Sequence, residues 1–168
     1  MGVHDHKHEA EKIGPIAFVV ITTSDSKTLE TDITGKLVKQ FIVDAGHKVV
    51  SHSVVKNDAA AIRKAVEEAL AGEAQCVITT GGTGVGKKDV TLEAVTPLFE
   101  KTLSGFGELY RHLSFDQIGP SAMLSRAQLG IVRGKVVVNI PGSSGGAEVG
   151  MKDLLLPEIA HILSVASK

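Results

Sequence analysis

Four short runs rich in valine and isoleucine constrain this chain most: Ile16 to Thr22, Lys48 to Val55, Gln75 to Thr80 and Lys135 to Ile140. β-Branched side chains are stiff at χ1 and pack well on a pleated surface, so these runs read as strands. Runs that are apolar on both faces suggest a parallel sheet covered on both sides. Between them lie segments with helical spacing: Ile33, Leu37, Phe41 and Ile42, then Ile62, Val66 and Leu70, then Leu92, Val95 and Leu98. Gly46 and Gly72 stand where the first two helices would be capped. Strands alternating with helices predict right-handed βαβ units and a three-layer, doubly wound α/β fold, a mostly parallel sheet with helices on both faces. The last segment, Ala147 to Ala166, reads as a helix that Pro157 kinks or divides.

At 168 residues with 43% hydrophobic content, the chain can fill one sizeable core. The expected organisation is a flexible polar tail over residues 1–14, carrying His4, His6 and His8, followed by a single domain over 15–168. The longest apolar run, Ile16 to Ile21, falls far short of the roughly 18 residues a membrane span needs, so no membrane partner is expected and the chain reads as cytoplasmic. A net charge of −1 with scattered lysines and arginines gives no basic footprint for nucleic acid. The lone Cys76 sits in an apolar run and reads as a small core residue.

The chemistry concentrates after the third run, where Thr80 leads into Gly81-Gly82-Thr83-Gly84-Val85-Gly86. Ligands of open α/β sheets bind beyond the carboxyl ends of the strands. Glycines there let backbone N–H groups approach an anion, and a following helix adds a favourable dipole, so a phosphate-bearing ligand is expected on residues 79–86. The dinucleotide fingerprint G-x-G-x-x-G fails, because its third glycine falls on Lys87 or Asp89. Gly81 to Lys87 satisfies G-x-x-x-x-G-K, yet Lys88 stands where a P-loop needs serine or threonine for magnesium. A second loop, Pro141-Gly142-Ser143-Ser144-Gly145-Gly146, follows the last run and could grip the other end of an extended ligand. Asp89, beside the first loop, suggests bound magnesium, since a carboxylate next to a phosphate is unfavourable without a cation; it could also cap the helix from Val90. Glu108 and Arg111, at helical spacing, could be a solvated pair.

Taken in order, Thr23-Ser24-Asp25-Ser26, Asp32-x-Thr34-Gly35, Thr80-Gly81-Gly82-Thr83-Gly84 with Lys88-Asp89-Val90-Thr91-Leu92-Glu93, Gly105-Phe106-Gly107-Glu108-x-x-Arg111, Ser125-Arg126-Ala127 and Pro141-Gly142-Ser143 resemble the molybdenum cofactor biosynthesis family MoaB/MogA. The resemblance spans Ile16 to Leu163, and Phe115-Asp116-Gln117-Ile118-Gly119 looks most like the MoaB branch. It implies magnesium-dependent adenylylation of molybdopterin by ATP, with release of pyrophosphate, in molybdenum or tungsten cofactor assembly. It further implies that Gly81, Gly82, Thr83 and Gly84 with Pro141, Gly142 and Ser143 surround the nucleotide, and that Ser24, Asp25, Ser125 and Arg126 serve the ligand pocket, although Arg126 could equally be a surface ion-pair partner. A homotrimer or homohexamer follows by the same route, as do contacts with other cofactor-assembly proteins.

One departure bears on activity. Family members commonly carry Val-Pro-Asp ahead of the second helix, its carboxylate counted among the catalytic groups; here Val55-Lys56-Asn57-Asp58 puts an amide on that position. Asp58 could take over as a catalytic carboxylate beside Asp89, or could cap the helix from Ala59. The alternative to an enzyme is a catalytically silent molybdopterin-binding protein of the same fold.

Overall fold

The computed structural model describes residues 13–168; the histidines at 4, 6 and 8 lie outside the described residues. Six strands form one sheet in the order β2-β1-β3-β6-β5-β4. They are β1 (Ala17–Thr23), β2 (Lys48–Val55), β3 (Cys76–Thr80), β4 (Lys101–Thr102), β5 (Gln128–Val132) and β6 (Lys135–Ile140). β2, β1, β3 and β6 run parallel, as the apolar runs imply, while β5 and β4 add antiparallel pairings at the far edge. That antiparallel edge is absent from the sequence reading. β5 and β6 are joined by Arg133-Gly134, both at positive φ (50° and 72°), the backbone a tight two-residue hairpin demands.

The helices are α1 (Ile33–Asp44), α2 (Ala59–Ala71), α3 (Thr91–Val95), α4 (Ser104–Ile118), α5 (Ser144–Glu148) and α6 (Leu156–Ala166). Alternate residues of β1 face opposite ways. Phe18 and Val20 join α1, α4 and the C-terminal helices in one buried layer; Val19 and Ile21 join Ile62, Val66 and Leu70 of α2 in the other. Burying a valine, leucine or isoleucine stabilises by about 1.5–3 kcal/mol, so both layers hold the strands in place. Cys76 is fully buried in the first layer, where burial pushes its thiol pKa well up.

Several local expectations need correction. Ile33 is 72% exposed, because it opens α1 directly after the Asp32 cap; the inward face runs Thr34, Gly35, Val38, Ile42. Gly46 has the left-handed backbone of a helix stop (φ +83°), whereas Gly72 closes α2 with φ −87°. α3 is only five residues long, and Thr96-Pro97-Leu98 continues it as a tighter 3₁₀ turn, since a proline cannot sit inside a helix. The C-terminal helix runs without a break from Ser144 to Ala166 but loosens into a π-helical stretch, Val149–Leu155, directly ahead of Pro157, so the proline coincides with a change of helical pitch and does not end the helix. Ile13, assigned to the polar tail, is half-buried and packs on the core. Among the described residues no helix is long and apolar enough to cross a membrane.

Candidate functional site

The four parallel strands finish level with one another: Thr23 pairs with Val55, Thr22 with Thr80, and Thr80 with Ile140. Their outgoing segments, 24–31, 56–58, 81–90 and 141–143, therefore open on one edge of the sheet, the edge at which open α/β sheets bind their ligands. Both glycine loops meet there. Gly81 N–H donates to Ile140 O at 2.9 Å, and a Cβ on Gly142 would stand 3.4 Å from Gly81 Cα.

The first loop is shaped by capture of its carbonyls. Thr91 Oγ1 donates to Gly81 O at 2.9 Å, and Thr91 N–H to Gly82 O at 3.1 Å. Arg126 holds the rest: its N–H reaches Thr83 O at 3.1 Å, Nε reaches Gly84 O at 2.9 Å, and Nη2 reaches Asp89 O at 3.0 Å. A trans peptide points its N–H opposite to its carbonyl. Fixing the carbonyls of 81–84 therefore turns the N–H groups of 82–85 the other way, and among the described residues these four N–H groups donate to no protein acceptor. A row of unspent amide donors is an anion-binding concavity. Gly81 and Gly82 make the turn possible with φ of +95° and +66°; Gly84 needs no such angle.

Asp89 does not cap α3. The cap position is Val90, and Asp89 Oδ2 instead accepts the Gly86 N–H at 2.8 Å, folding its carboxylate against the loop near Gly84. Asp58 does cap α2, accepting the Ala61 N–H at 2.8 Å on an exposed turn. Asp25 lies between them. Its Oδ1 accepts the Asn57 N–H at 3.0 Å, its Oδ2 pairs with Lys88 Nζ at 3.0 Å, and the Lys88 ammonium followed by the Asn57 N–H holds its carboxyl below the usual range. Ser24 Oγ accepts the Lys27 N–H at 3.1 Å, tightening the turn that carries Asp25.

In the second loop Ser143 caps α5, accepting the Gly146 N–H at 3.2 Å, and Gly142 O accepts from Thr34 Oγ1 at 2.9 Å. Pro141 precedes them, half-buried. Ser125 lies behind the first loop, where Arg111 donates to the Ser125 and Ala127 carbonyls at 3.4 and 3.3 Å. Arg111 is therefore spent on backbone and not on Glu108, because side-chain-free Gly107 lets its guanidinium lie close. Arg126 also pairs with Glu93, which holds the Glu93 carboxyl below its usual range. Sequence reasoning found both loops but missed Thr34 and Thr91 as their anchors, Thr23 as the hydroxyl that reaches Thr80 O and Thr91 Oγ1 at 3.3 Å behind the first loop, and Lys88 as the partner of Asp25. For Thr23 the available signal was a hydroxyl at the end of an apolar strand, as in Thr22-Thr23 and Thr79-Thr80; Thr34, Thr91 and Lys88 lie outside the strands and carried none.

Among the described residues no three His, Cys, Asp or Glu side chains converge as a metal site. Magnesium is commonly held by one or two carboxylates together with substrate phosphates, and Asp25 and Asp89, flanking the free amides, supply oxygen donors of that kind.

Residues 19–161 match the family described as "Probable molybdopterin binding domain". Molybdenum cofactor biosynthesis protein B of Bacillus cereus is 46% identical over 167 residues, 96% of each chain. That of Bacillus subtilis is 43% identical over 168 residues, 97% of this chain and 96% of the relative. The crystal structure of a molybdenum cofactor biosynthesis protein B superposes with a TM-score of 0.88 at 44% identity, covering 90% of this chain and 96% of the other. The tungsten cofactor synthesizing protein MoaB of Pyrococcus furiosus gives 0.84 at 34% identity, covering 92% and 98%.

Proposed function

This chain belongs to the MoaB/MogA family of molybdenum cofactor biosynthesis proteins, and from that membership and the geometry of the site we propose that it adenylylates molybdopterin, using ATP and magnesium, in the assembly of a molybdenum or tungsten cofactor. The observation that carries this reading is the row of unspent N–H groups on residues 82–85, faced by the second glycine loop at Gly142 and Ser143. In the reaction a terminal phosphate oxygen of the pterin attacks the α-phosphorus of ATP; the bond from that phosphorus to the bridging oxygen breaks, and pyrophosphate leaves.

Negative charge grows on the transferring and departing phosphates, so donors already fixed toward them stabilise the transition state without reorganising. The amides of Gly82, Thr83, Gly84 and Val85 meet that requirement, since Thr91 and Arg126 hold their peptide planes. Magnesium, held by Asp89 and Asp25, would neutralise phosphate charge. The oligomer belongs to the same reading. Leu109, Phe115, Ile118, Met123 and Leu124 are all more than half exposed on α4 and the turn after it, an apolar surface that a homotrimer or homohexamer would cover.

A silent molybdopterin-binding protein is the second reading, favoured by one observation: Asp58 is engaged as a helix cap while Asn57 is an amide. The two readings part in one assay. Incubation with ATP, magnesium and purified molybdopterin should yield pyrophosphate and a pterin heavier by one adenylyl group; tight pterin binding with neither product would establish the silent protein.

A further inference from the structure

Beneath the site lies a buried polar chain that the reaction does not use. Asp32, fully buried, caps α1 by accepting the Gly35 N–H on Oδ1 at 3.0 Å. Its Oδ2 accepts from Thr22 Oγ1 at 2.5 Å and lies 2.9 Å from Nε2 of His52, whose side chain is 5% exposed. An ionised carboxylate only accepts, so His52 carries its proton on Nε2. Thr80 Oγ1 donates to Thr22 Oγ1 at 3.3 Å, joining the pair to the residue before Gly81. On the other side, Thr34, in the turn that Asp32 caps, holds Gly142 O.

We propose that Asp32 and His52 are positioning residues for the ligand site, setting the two glycine loops against each other through Thr22–Thr80 on one branch and Thr34–Gly142 on the other. The proposal rests on reading the 82–85 amides as the ligand cradle. Its physical basis is that a buried carboxylate with all its partners satisfied has one low-energy placement, whereas removing a partner leaves an unpaid charge and forces rearrangement. Both branches begin at that carboxylate. Gly35 keeps the space open: a Cβ there would lie 2.1 Å from Asp32 Oδ2 and 2.4 Å from His52 Nε2.

The pair is also where acid would reach the loops. His52 is held below its ordinary pKa by burial, with Lys39 and Lys36 of α1 acting the same way and Asp32 opposing. Lys27 and Lys56 share a groove with His52 on the side of the loop after β1, so among the described residues the charged groups around His52 are Asp32, Lys36 and Lys39, with Lys27 and Lys56 along that groove. Protonation, which falls on Nδ1, adds a cation to a mostly cationic surrounding and makes the Nε2–H bond to Asp32 charge-assisted, changing its length and strength.

The test uses the full chain labelled with ¹⁵N-glycine and titrated from pH 8 to 5 without ligand. The amides of Gly35, Gly81 and Gly142 should shift together with one midpoint below the ordinary histidine value, and the shift should vanish in His52→Gln, which keeps an N–H donor but cannot titrate. ATP affinity at pH 7.5 should fall about tenfold in His52→Ala and recover in His52→Gln, with thermal melts reporting that both variants fold. Loop amides that ignore pH in the wild type, or that titrate unchanged in His52→Gln, would overturn the proposal. Coupled amides in a protein that binds no ATP at any pH would support the coupling and overturn the ligand reading instead.

Discussion

Lys88 Nζ stands 3.0 Å from Asp25 Oδ2, tying the loop after β3 to the loop after β1 across the mouth of the site. The lysine side chain is 79% exposed, and exposed pairs of this kind are readily traded for a stronger anion. A bound nucleotide can therefore take the ammonium and leave Asp25 to a cation. Lys88→Ala is expected to weaken ATP binding about tenfold while barely moving the melting temperature. Calorimetric titration with ATP checks this, and unchanged affinity would restrict the lysine to its ion pair.

Gly82 and Gly84 are expected to respond differently to alanine. A Cβ on Gly82 would lie 2.2 Å from Thr91 Oγ1 at a φ of +66°, so Gly82→Ala should cost about 1–3 kcal/mol of stability as well as ATP affinity. On Gly84 the nearest atoms to a Cβ would be those of the Asp89 carboxylate, the first at 2.8 Å, and no positive φ is involved. Gly84→Ala should therefore keep its stability within about 1 kcal/mol and lose function by displacing Asp89. Urea melts and ATP titrations on both variants separate the two effects.

The mostly parallel sheet was legible because strands buried on two faces announce themselves as unbroken Val/Ile runs, and both loops because their glycines follow two of those runs; the order of the strands was not. Nor was the antiparallel edge. Its outermost strand is Lys101–Thr102, too short for periodicity, and Arg133-Gly134 is a weaker turn signal than Asn-Gly. The inward face of α1 was misread for a different reason: Thr34 and Gly35 are buried to serve the site, against the rule that apolar residues mark the core face. Which carboxylate would do what was hidden as well, since Asp58 and Asp89 differ only in where their N–H donors lie.

Acid should destabilise the fold in two stages. His47 and His52 are both held below their ordinary value of 6.5, chiefly by burial, so the unfolded chain binds their protons more readily than the folded one. Their contribution is complete above pH 6.5 and is lost as the pH falls through their folded values. Burial works to raise the Asp32 carboxyl, but hydrogen bonds from Thr22, Gly35 and His52 outweigh it and hold it below 3.8, so its contribution is present above that value and lost at lower pH. The melting temperature is expected to fall between pH 6.5 and 5, less steeply in His52→Gln. A flat profile across that window would contradict the assigned neutral imidazoles.

Asp58 and Asn57 should also separate by variant. Asparagine caps a helix about as well as aspartate, so Asp58→Asn should leave stability and turnover near wild type, while Asp58→Ala should cost about 1 kcal/mol through the lost Ala61 bond. Asn57→Asp restores the family's carboxylate beside Asp25 and should raise turnover. Turnover lost in Asp58→Asn would make Asp58 a catalytic group in addition to a cap.

Adenylyl transfer that depends on the carboxylate of Asp89 is the claim on which the account turns. Asp89→Asn retains an oxygen for the Gly86 N–H and removes the charge, so the fold should persist. Pyrophosphate release from ATP and molybdopterin, measured against magnesium concentration for wild type and Asp89→Asn alongside thermal melts, tests it most directly. The account predicts magnesium-dependent release by the wild type and a loss of roughly a hundredfold in the folded variant. Equal release by the two proteins would contradict the role of Asp89, and none from the wild type would contradict adenylyl transfer itself.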